Sequence, residues 1–239
     1  MSEKDKAAAG CETWTDFHEM LKEAHLWAQG PHEKSNWLMD RVLVGGWPFR
    51  LPKGRGSQGE SQEEGLAKLS SILEAGVLTF VSLTQKDEIR GKQYCYSSFR
   101  ALAEAKHAEL LGVPRRRARR GGRELRFLQC PMVDGGTCSD ELVMQLLQQL
   151  LLELRSGRRI YVHCYGGHGR TGIVGCLLLC LLSGVSADEA VAIFNDLHSF
   201  RLECGVGGPG QFPHSDAQLQ QVHRIAEHRK RFEALLPAD

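Results

Sequence analysis

The stretch "RRIYVHCYGGHGRTGIVGCLLLCLLSG", from Arg158 to Gly184, decides the fold of this chain. A short apolar strand ends at His163-Cys164, a turn with three glycines follows, and a long apolar helix begins around Arg170-Thr171. In open α/β sheets, such strand-to-helix turns lie at the carboxyl edge of the sheet, where ligands bind. The stretch therefore predicts an α/β fold with a binding site at this turn.

The composition of the turn indicates what it binds. Glycines let the backbone fold tightly and direct its N–H groups inward, and the positive end of the helix dipole adds to them. Arg170 provides a planar guanidinium that holds two oxygens of a tetrahedral anion. We therefore predict a cradle for a phosphate group. The predicted substrate-binding residues of the turn are Tyr165, Gly166, Gly167, His168 and Gly169.

Cys164 stands at the base of this predicted cradle. Inward N–H groups, the helix N-terminus and Arg170 all favour its thiolate form, which would be placed for in-line attack on phosphorus. The hydroxyl of Thr171 is predicted to donate to the sulfur and to help it leave in a second step. One alternative is a core cysteine beside an ordinary turn. Another is a zinc site of His163, Cys164 and His168, but the chain offers no second ligand pair at metal-site spacing, so we expect no metal or cofactor.

The run "HCYGGHGRT", residues 163–171, resembles the H-C-x5-R-[ST] signature of cysteine-based protein tyrosine and dual-specificity phosphatases. Its Cys-Tyr-Gly-Gly-x-Gly-Arg form is most similar to that of the cyclin-dependent kinase-associated phosphatase branch. The resemblance extends from about Arg41 to Arg231 and is specific from Pro131 to Gly184. It implies a protein tyrosine phosphatase-like fold and hydrolysis of phosphomonoesters through a phosphocysteine intermediate, with Cys164 and Arg170 as catalytic residues.

Such chemistry also needs an acid that protonates the leaving group and later activates water. The segment "CPMVDGGTCSDE", residues 130–141, offers Asp134 beside two glycines, and Asp134 resembles the general acid of the family. The alternatives are a simple turn aspartate and Asp140, which is placed like a first-turn helix residue. A later segment, "FPHSDAQLQQV", resembles the family's glutamine loop and puts Gln218 where an amide orients the hydrolytic water. The alternative for Gln218 is a helix start that is capped by Ser215.

The order of predicted elements sets the fold class and the domain division. Strands alternate with helices, which predicts an α/β fold with a central, mostly parallel sheet flanked by helices. Residues 1–35 are predicted to be an N-terminal helical appendage. Residues 36–239 are predicted to be a dual-specificity phosphatase-like catalytic domain with a basic loop insertion at residues 114–124.

Local signals place several elements of that domain. Capping boxes at Ser61/Glu64 and at Ser186/Glu189 mark two helix starts, and Ser139-Asp140-Glu141 opens a third helix. The apolar run "VLTFVSL" predicts a buried strand. A last helix is predicted from Asp216 to Leu235.

The overall composition excludes some classes of protein. Lys and Arg number 30 and Asp and Glu 29, a formal net charge of +1 that is not typical of a general nucleic-acid binder. The longest apolar run, Ile173 to Leu182, is about half of the roughly 20 residues that span a bilayer, so no transmembrane segment is predicted. The eight dispersed cysteines favour reduced thiols. We expect a soluble protein of the cytoplasm, with the nucleus as the alternative. When Cys164 is oxidised, Cys130 or Cys138 is expected to trap it as a disulfide.

The expected substrate depends on the residues around the cradle. Phosphoinositide-specific members of the family often carry lysines at the positions of Tyr165 and His168, so the resemblance favours a phosphorylated protein that carries phosphotyrosine, phosphoserine or phosphothreonine. The run from Arg115 to Arg126 has seven arginines and indicates either a solvated loop or a dock for an acidic partner, a phospholipid headgroup or nucleic acid. It keeps a phosphoinositide or inositol phosphate substrate as an alternative. A third alternative is a non-enzymatic phosphate-binding module, which would be expected to lack one of the three predicted catalytic residues.

Overall fold

The computed structural model of the protein describes residues 14–49, 61–89, 96–118, 123–202 and 212–236. The α-helices are α1 (Trp14–Lys22), α2 (Ala24–Trp27), α3 (Gln62–Glu74), α4 (Tyr96–Leu110), α5 (Arg115–Ala118), α6 (Asp140–Arg155), α7 (Gly169–Ser183), α8 (Ala187–His198) and α9 (Asp216–Ala226). The strands are β1 (Ser35–Met39), β2 (Val42–Gly45), β3 (Val77–Ser82), β4 (Arg126–Gln129) and β5 (Arg159–His163). Short 3-10 helices span Lys86–Ile89 and Arg229–Leu235.

The strands form one sheet in the order β1-β2-β5-β3-β4. β1 is antiparallel to β2, whereas β2, β5, β3 and β4 run parallel to one another, which confirms the predicted mostly parallel sheet. His163 at the end of β5 lies opposite Gly45 of β2 and Ser82 of β3. Ser82 in turn lies opposite Gln129 of β4. The carboxyl ends of the four parallel strands therefore meet at one edge, and the loops that leave them are neighbours.

β5 lies at the centre of the core. Its side chains alternate, so that Ile160 and Val162 face one side of the sheet and Tyr161 faces the other. The first side packs against α6 and α7, and α7 is buried along almost its whole length. The other side packs against α3 and α4 through a smaller cluster that is rich in aromatic residues. A parallel strand covered on both faces in this way is expected to have an apolar interior, and β5 is apolar from Ile160 to Val162.

The helix starts follow the local sequence signals. The Ser61 hydroxyl accepts a hydrogen bond from the Glu64 N–H, and the Glu64 carboxylate accepts one from the Ser61 N–H. The same reciprocal pair is present at Ser186 and Glu189, and Ser139 caps α6. These caps confirm the three predicted helix starts, because each one satisfies N–H groups that have no partner within the helix.

The N-terminal segment packs directly on the core. Phe17, Ala24 and Ala28 are buried in the same apolar cluster as α7, and the predicted boundary at residue 35 falls at the first residue of β1. The sequence patterns do not predict β1, because "SNWLM" is short and the turn after it lacks a glycine. Pairing with β2, rather than local periodicity, makes this segment a strand.

Two other segments differ from the prediction. The basic loop contains one turn of helix, α5, which begins where the Pro114 carbonyl accepts hydrogen bonds from Arg117 and Ala118, and residues 119–122 lie outside the described residues. The single helix predicted from residue 216 to residue 235 is wrong in its second half, where α9 ends and a 3-10 helix buries Phe232 against the core. Within the described residues, no single helix is both long enough and apolar enough to cross a bilayer.

Candidate active site

Four loops leave the carboxyl edge of the sheet side by side and form the candidate active site. Residues 164–168 follow β5 and are named the cysteine loop, and residues 131–137 follow β4 and are named the acid loop. The other two loops follow β2 and β3. Backbone hydrogen bonds join them: Trp47 N–H donates to the Tyr165 carbonyl at 3.0 Å, and Met132 N–H donates to the Leu83 carbonyl at 3.0 Å. Sheet topology alone therefore brings together segments that are far apart in the sequence.

The conformation of the cysteine loop depends on Gly167. Its φ of +79° lies in the left-handed region that favours glycine. A Cβ at this position would also lie 2.5 Å from the backbone nitrogen of Gly46 in the loop after β2. Glycine is therefore required at position 167 for two reasons: its φ is positive, and the loop after β2 lies too close for a side chain.

Cys164 lies at the base of the cysteine loop with 3% of its surface exposed. Its Sγ accepts a hydrogen bond from the Gly167 N–H at 3.2 Å, so this amide is turned inward toward the sulfur. The helix α7 begins at Gly169, directly after the loop, and its positive end also faces this region. The structure therefore places the predicted nucleophile where a thiolate would be stabilised.

Arg170 is almost completely buried, with 2% of its side chain exposed, and is held by Glu88 from the 3-10 helix after β3. The Glu88 carboxylate accepts from Nη1 at 2.5 Å and from Nη2 at 2.8 Å, and the Met132 carbonyl accepts from Nη1 at 3.2 Å. Burial is the largest single influence and opposes the charge of the guanidinium, but the hydrogen bonds with Glu88 and the nearby negative charges together outweigh it and raise the pKa of Arg170. Arg170 is therefore a fixed cation beside Cys164.

Asp134 lies in the acid loop with 70% of its side chain exposed, and its Oδ1 accepts from Arg170 Nη2 at 2.8 Å. The structure thus brings the predicted acid to the predicted phosphate-binding arginine. In this arrangement the Asp134 carboxylate occupies an N–H of Arg170 that a phosphate oxygen would otherwise take. Proton donation from Asp134 therefore requires that its carboxylate leave the guanidinium.

Asp140, the alternative acid, lies away from this cluster. Its carboxylate accepts hydrogen bonds from Arg224 and Gln221 of α9. The Arg224 guanidinium lowers the pKa of Asp140, which suits an ion pair at a helix start and not a proton donor.

Thr171 and His163, two further residues of the run from His163 to Thr171, are buried. The Thr171 hydroxyl has no hydrogen-bond partner among the described residues, so the predicted bond to the sulfur is not formed in this conformation. The His163 ring packs against Trp47, with ring centroids 5.1 Å apart. Burial lowers the pKa of His163 to about 4, so this imidazole is neutral at physiological pH.

The predicted substrate-binding residues divide into two groups. Gly166 and Gly169 form the backbone of the cradle, and Tyr165 is mostly buried. The His168 ring turns toward α8, where its Nδ1 lies 2.8 Å from His198 Nε2 and its plane stacks on Phe212. His168 therefore supports the loop from behind instead of facing the position of a bound phosphate.

Gln218 lies at the start of α9 and is completely buried. Its Oε1 accepts from the His214 N–H at 2.9 Å, and its Nε2 donates to the Gly136 carbonyl of the acid loop at 2.9 Å. A Cβ at Gly169 would lie 2.7 Å from Gln218 Oε1, so the amide borders the cysteine loop. Gln218 therefore connects the acid loop to the cysteine loop, and its role in orienting water stays a prediction.

Sequence reasoning missed two residues of the site, the partly buried Glu88 and the buried Arg201. Arg201 follows α8 and is 4% exposed; its Nη1 donates to the Gly167 carbonyl at 2.9 Å and its Nε to Asn36 Oδ1 at 2.7 Å. The signal for Glu88 was an acidic pair just after a buried strand. Arg201 gave no local signal, because its partners lie 34 and 165 residues away along the chain.

No group of three His, Cys, Asp or Glu side chains within the described ranges is arranged to hold a metal ion. The rings of His163 and His168 lie in different surroundings, the first against Trp47 and the second against Phe212. The zinc alternative of His163, Cys164 and His168 therefore has no geometric support.

Comparisons with known proteins agree with this geometry. Residues 55–203 match the family model PTP-SAK, described as "Swiss Army Knife protein, DSP-PTPase phosphatase domain". Human cyclin-dependent kinase inhibitor 3 is 37% identical over 68 residues, which are 28% of this chain and 32% of that protein. A putative tyrosine phosphatase, 067L of Invertebrate iridescent virus 3, is 34% identical over 79 residues, 31% of this chain and 33% of the viral protein. The chain thus matches about a third of the length of these curated relatives.

Solved structures share the fold. The crystal structure of Tk-PTP in the active form has a TM-score of 0.52 and 18% identity, covering 81% of this chain and 97% of that one. The crystal structure of PTPMT1 has a TM-score of 0.55 and 15% identity, covering 84% and 98% of the two chains. At such identities the likeness shows the fold, which is the protein tyrosine phosphatase-like fold that the resemblance implied. Because the family model covers more than half of its residues, the chain belongs to the cysteine-based DSP-PTPase phosphatase family, in its Swiss Army Knife branch.

Proposed function

We propose that this protein hydrolyses phosphomonoesters on phosphorylated proteins, with Cys164 as the nucleophile. The observation that carries this proposal is the Cys164 sulfur, which accepts the Gly167 N–H at 3.2 Å beside a buried arginine that Glu88 holds in its charged form. An amide donor, a helix N-terminus and a fixed cation together suit a bound phosphoryl group above a thiolate. Membership of a phosphatase family supports the same reaction class.

The proposed reaction has two steps. In the first, the Cys164 thiolate forms an S–P bond as the P–O bond to the substrate breaks, and Asp134 gives its proton to the leaving oxygen. In the second, Asp134 takes a proton from water, whose oxygen attacks phosphorus and releases the thiolate as the S–P bond breaks. Arg170 and the loop amides stabilise the charge on the phosphoryl oxygens in both steps.

Asp134 has to change partners during this cycle. In the structure its carboxylate takes one N–H of Arg170 at 2.8 Å, and a phosphoryl oxygen would compete for the same donor. Because 70% of the Asp134 side chain is exposed, it can move outward without unpacking the core. We infer that binding of the phosphoryl group displaces Asp134 from Arg170 and leaves its carboxyl group free to serve as the acid.

The proposed substrate class is a phosphoprotein that carries phosphotyrosine, phosphoserine or phosphothreonine. The viral relative is named as a putative tyrosine phosphatase and the human relative as a cyclin-dependent kinase inhibitor. In this chain the two loop positions beside the cradle are Tyr165 and His168, and the His168 ring is stacked on Phe212. Neither position supplies the extra cation that a polyphosphorylated inositol headgroup would require.

We further propose that the exposed arginines of α5, Arg115 to Arg117, bind an acidic partner or a phospholipid headgroup. These side chains lie on the surface beside α4, where the Arg115 guanidinium also donates to the Ala101 carbonyl. Arg126, at the end of the same basic run, is paired with Glu153 and does not add to this surface. The proposal applies to a dock outside the catalytic cradle.

A substrate panel tests the proposed function directly. Phosphotyrosine and phosphothreonine peptides, soluble inositol phosphates and phosphoinositide vesicles would be compared by phosphate release at equal enzyme concentration. We expect turnover of the peptides, abolished by Cys164→Ser, whereas Cys138→Ser serves as a matched control that remains active. Faster turnover of inositol phosphates than of any peptide would contradict the phosphoprotein assignment.

Inorganic phosphate binding separates the enzyme from a binding module. The Cys164→Ser variant should still bind inorganic phosphate, because the loop amides and Arg170 remain, as measured by calorimetry. If the wild-type protein binds phosphate but releases none from any member of the panel, the protein is a binding module and not an enzyme.

A further inference from the structure

Two cysteines flank the acid loop. Cys130 directly follows β4 and is 4% exposed, and Cys138 directly precedes Ser139, the cap of α6, and is partly exposed. Their sulfurs are 3.7 Å apart and in hydrogen-bond contact, and neither is bonded in a disulfide. A disulfide has a S–S distance of about 2.0 Å, so a shift of roughly 1 Å by each sulfur would be sufficient to join them.

The two thiols differ in a way that suits an attacking and a resolving role. The hydrogen bond between them raises the pKa of Cys130 and lowers the pKa of Cys138. Cys138 also stands next to the N-terminus of a 16-residue helix, whose dipole favours a thiolate. The more exposed sulfur is therefore the better nucleophile, and the buried sulfur lies in position to react with it.

The acid loop between these cysteines is tied down at both ends. On one side, Cys130 N–H donates to the Ser82 carbonyl and Met132 N–H to the Leu83 carbonyl. On the other side, Gln221 Nε2 donates to the Cys138 carbonyl and Gln218 Nε2 to the Gly136 carbonyl. The part that is left to move is the short arch around Asp134.

We propose that Cys130 and Cys138 form a redox pair whose disulfide closes the base of the acid loop and holds Asp134 on Arg170, which slows turnover reversibly. The half of this proposal that concerns turnover rests on the proposed function. In the structure, Asp134 Oδ1 already accepts a hydrogen bond from Arg170 Nη2 at 2.8 Å. A covalent bond across the base removes the freedom that Asp134 needs to leave the guanidinium and protonate a leaving group.

The chemistry is an exchange with a small-molecule disulfide such as glutathione disulfide. The Cys138 thiolate attacks one sulfur of the glutathione disulfide, breaks its S–S bond and expels one glutathione thiolate, which leaves a mixed disulfide on Cys138. Cys130 then loses its proton to solvent and attacks Cys138 Sγ, which expels the second glutathione thiolate. Two protein thiols are oxidised to one disulfide, and one glutathione disulfide is reduced to two glutathione thiols.

This pairing differs from the one expected from the sequence, in which Cys130 or Cys138 trapped an oxidised Cys164. The Cys164 sulfur is in contact with the Gly167 N–H, whereas the 3.7 Å sulfur contact joins the two cysteines of the acid loop. The structure therefore assigns them to each other and leaves the nucleophile outside the pair.

The sequence offers a simple test of the covalent step. Trypsin cuts after Arg126 and Arg155, so one peptide, residues 127–155, contains Cys130 and Cys138 and no other cysteine. The Cys164→Ser variant would be equilibrated with mixtures of oxidised and reduced glutathione, alkylated and digested. We expect the peptide to lose two hydrogen atoms in mass and both alkylation sites as oxidised glutathione increases. Both thiols staying alkylated under the most oxidising mixture would overturn the proposal, whatever the activity of the wild-type protein.

The effect on turnover is measured separately with the wild-type protein. After oxidation, we expect kcat to fall by at least about tenfold, as for loss of a general acid, with peptide 160–170 still carrying a free Cys164. Dithiothreitol should restore kcat. Cys138→Ser and Cys130→Ala should keep their activity under the same oxidation, and Cys180→Ala, which removes a core thiol of α7, should respond like the wild type. A disulfide between peptides 127–155 and 160–170, or unchanged kcat with the acid-loop disulfide fully formed, contradicts the proposed clamp.

Discussion

Replacing Glu88 by glutamine should lower kcat/KM by about 10- to 100-fold. Glu88 accepts two hydrogen bonds from Arg170, at 2.5 and 2.8 Å, and the pair is well shielded, with 2% of the arginine side chain and 17% of the glutamate side chain exposed. A glutamine at position 88 keeps one oxygen that accepts a hydrogen bond from Arg170. Its NH₂ group faces the other guanidinium N–H and cannot accept from it, so one hydrogen bond is lost. A hydrogen bond to a charged group contributes about 1.5–3 kcal/mol, and each 1.36 kcal/mol corresponds to about tenfold in rate.

The assay is steady-state kinetics of Glu88→Gln on a phosphotyrosine peptide, with Glu109→Gln on the surface of α4 as a matched control. Arg170 is proposed to stabilise the phosphoryl group in the transition state, and Glu88 holds Arg170 in its orientation. We therefore expect the loss mainly in kcat. The free energy of unfolding should fall by the order of 3 kcal/mol, since one partner of a buried ion pair is removed. Wild-type kcat in the folded fraction of Glu88→Gln would refute the inference that Glu88 positions Arg170.

Three further predictions follow from the geometry of the site. Asp134→Asn should lower kcat by about 10²- to 10⁴-fold for substrates with poor leaving groups and much less for nitrophenyl phosphate; equal losses for both would count against its role as the acid. His163 is held neutral by burial, with its pKa lowered from 6.5 to about 4, so the unfolded state binds more protons between these values and the free energy of unfolding should rise with pH across that window by about 3 kcal/mol. His163→Gln should flatten that rise in denaturant titrations, and an unchanged profile would contradict the burial argument. Gly167→Ala should abolish phosphate binding because of its positive φ and the approach to Gly46, whereas Gly157→Ala, with a φ of +81° and open space, is the matched control that should keep it.

The cysteine loop and most of the fold could be predicted because their signals are local. The run from His163 to Thr171 holds the nucleophile, the glycines and the arginine within one strand-to-helix turn, and the capping boxes mark helix starts within four residues. Asp134 could be predicted because the order of strands places its loop beside the cysteine loop. In each case, the residues that interact are either close in sequence or joined by the regular topology of a parallel sheet.

The remaining features depend on contacts that no local pattern encodes. Glu88 reaches Arg170 across 82 residues of sequence, and Arg201 joins Gly167 to Asn36 of β1. β1 is a strand because β2 is available to pair with it. His168 lies in the predicted cradle loop, where its ring could face the substrate or turn away, and stacking on Phe212 turns it away. These are tertiary contacts, and side-chain packing decides them after the elements have formed.

The most direct measurement is to trap the covalent intermediate. The wild-type protein would be mixed rapidly with a phosphomonoester that has a good leaving group, quenched in acid and digested with trypsin. The mass of the peptide Ile160–Arg170, whose single cysteine is Cys164, would then be measured by mass spectrometry. We expect this peptide to gain the mass of one phosphoryl group, with the modification on Cys164. Phosphate release without any phosphorylated Cys164, or with the phosphoryl group on another residue, would contradict the central claim that this sulfur is the nucleophile.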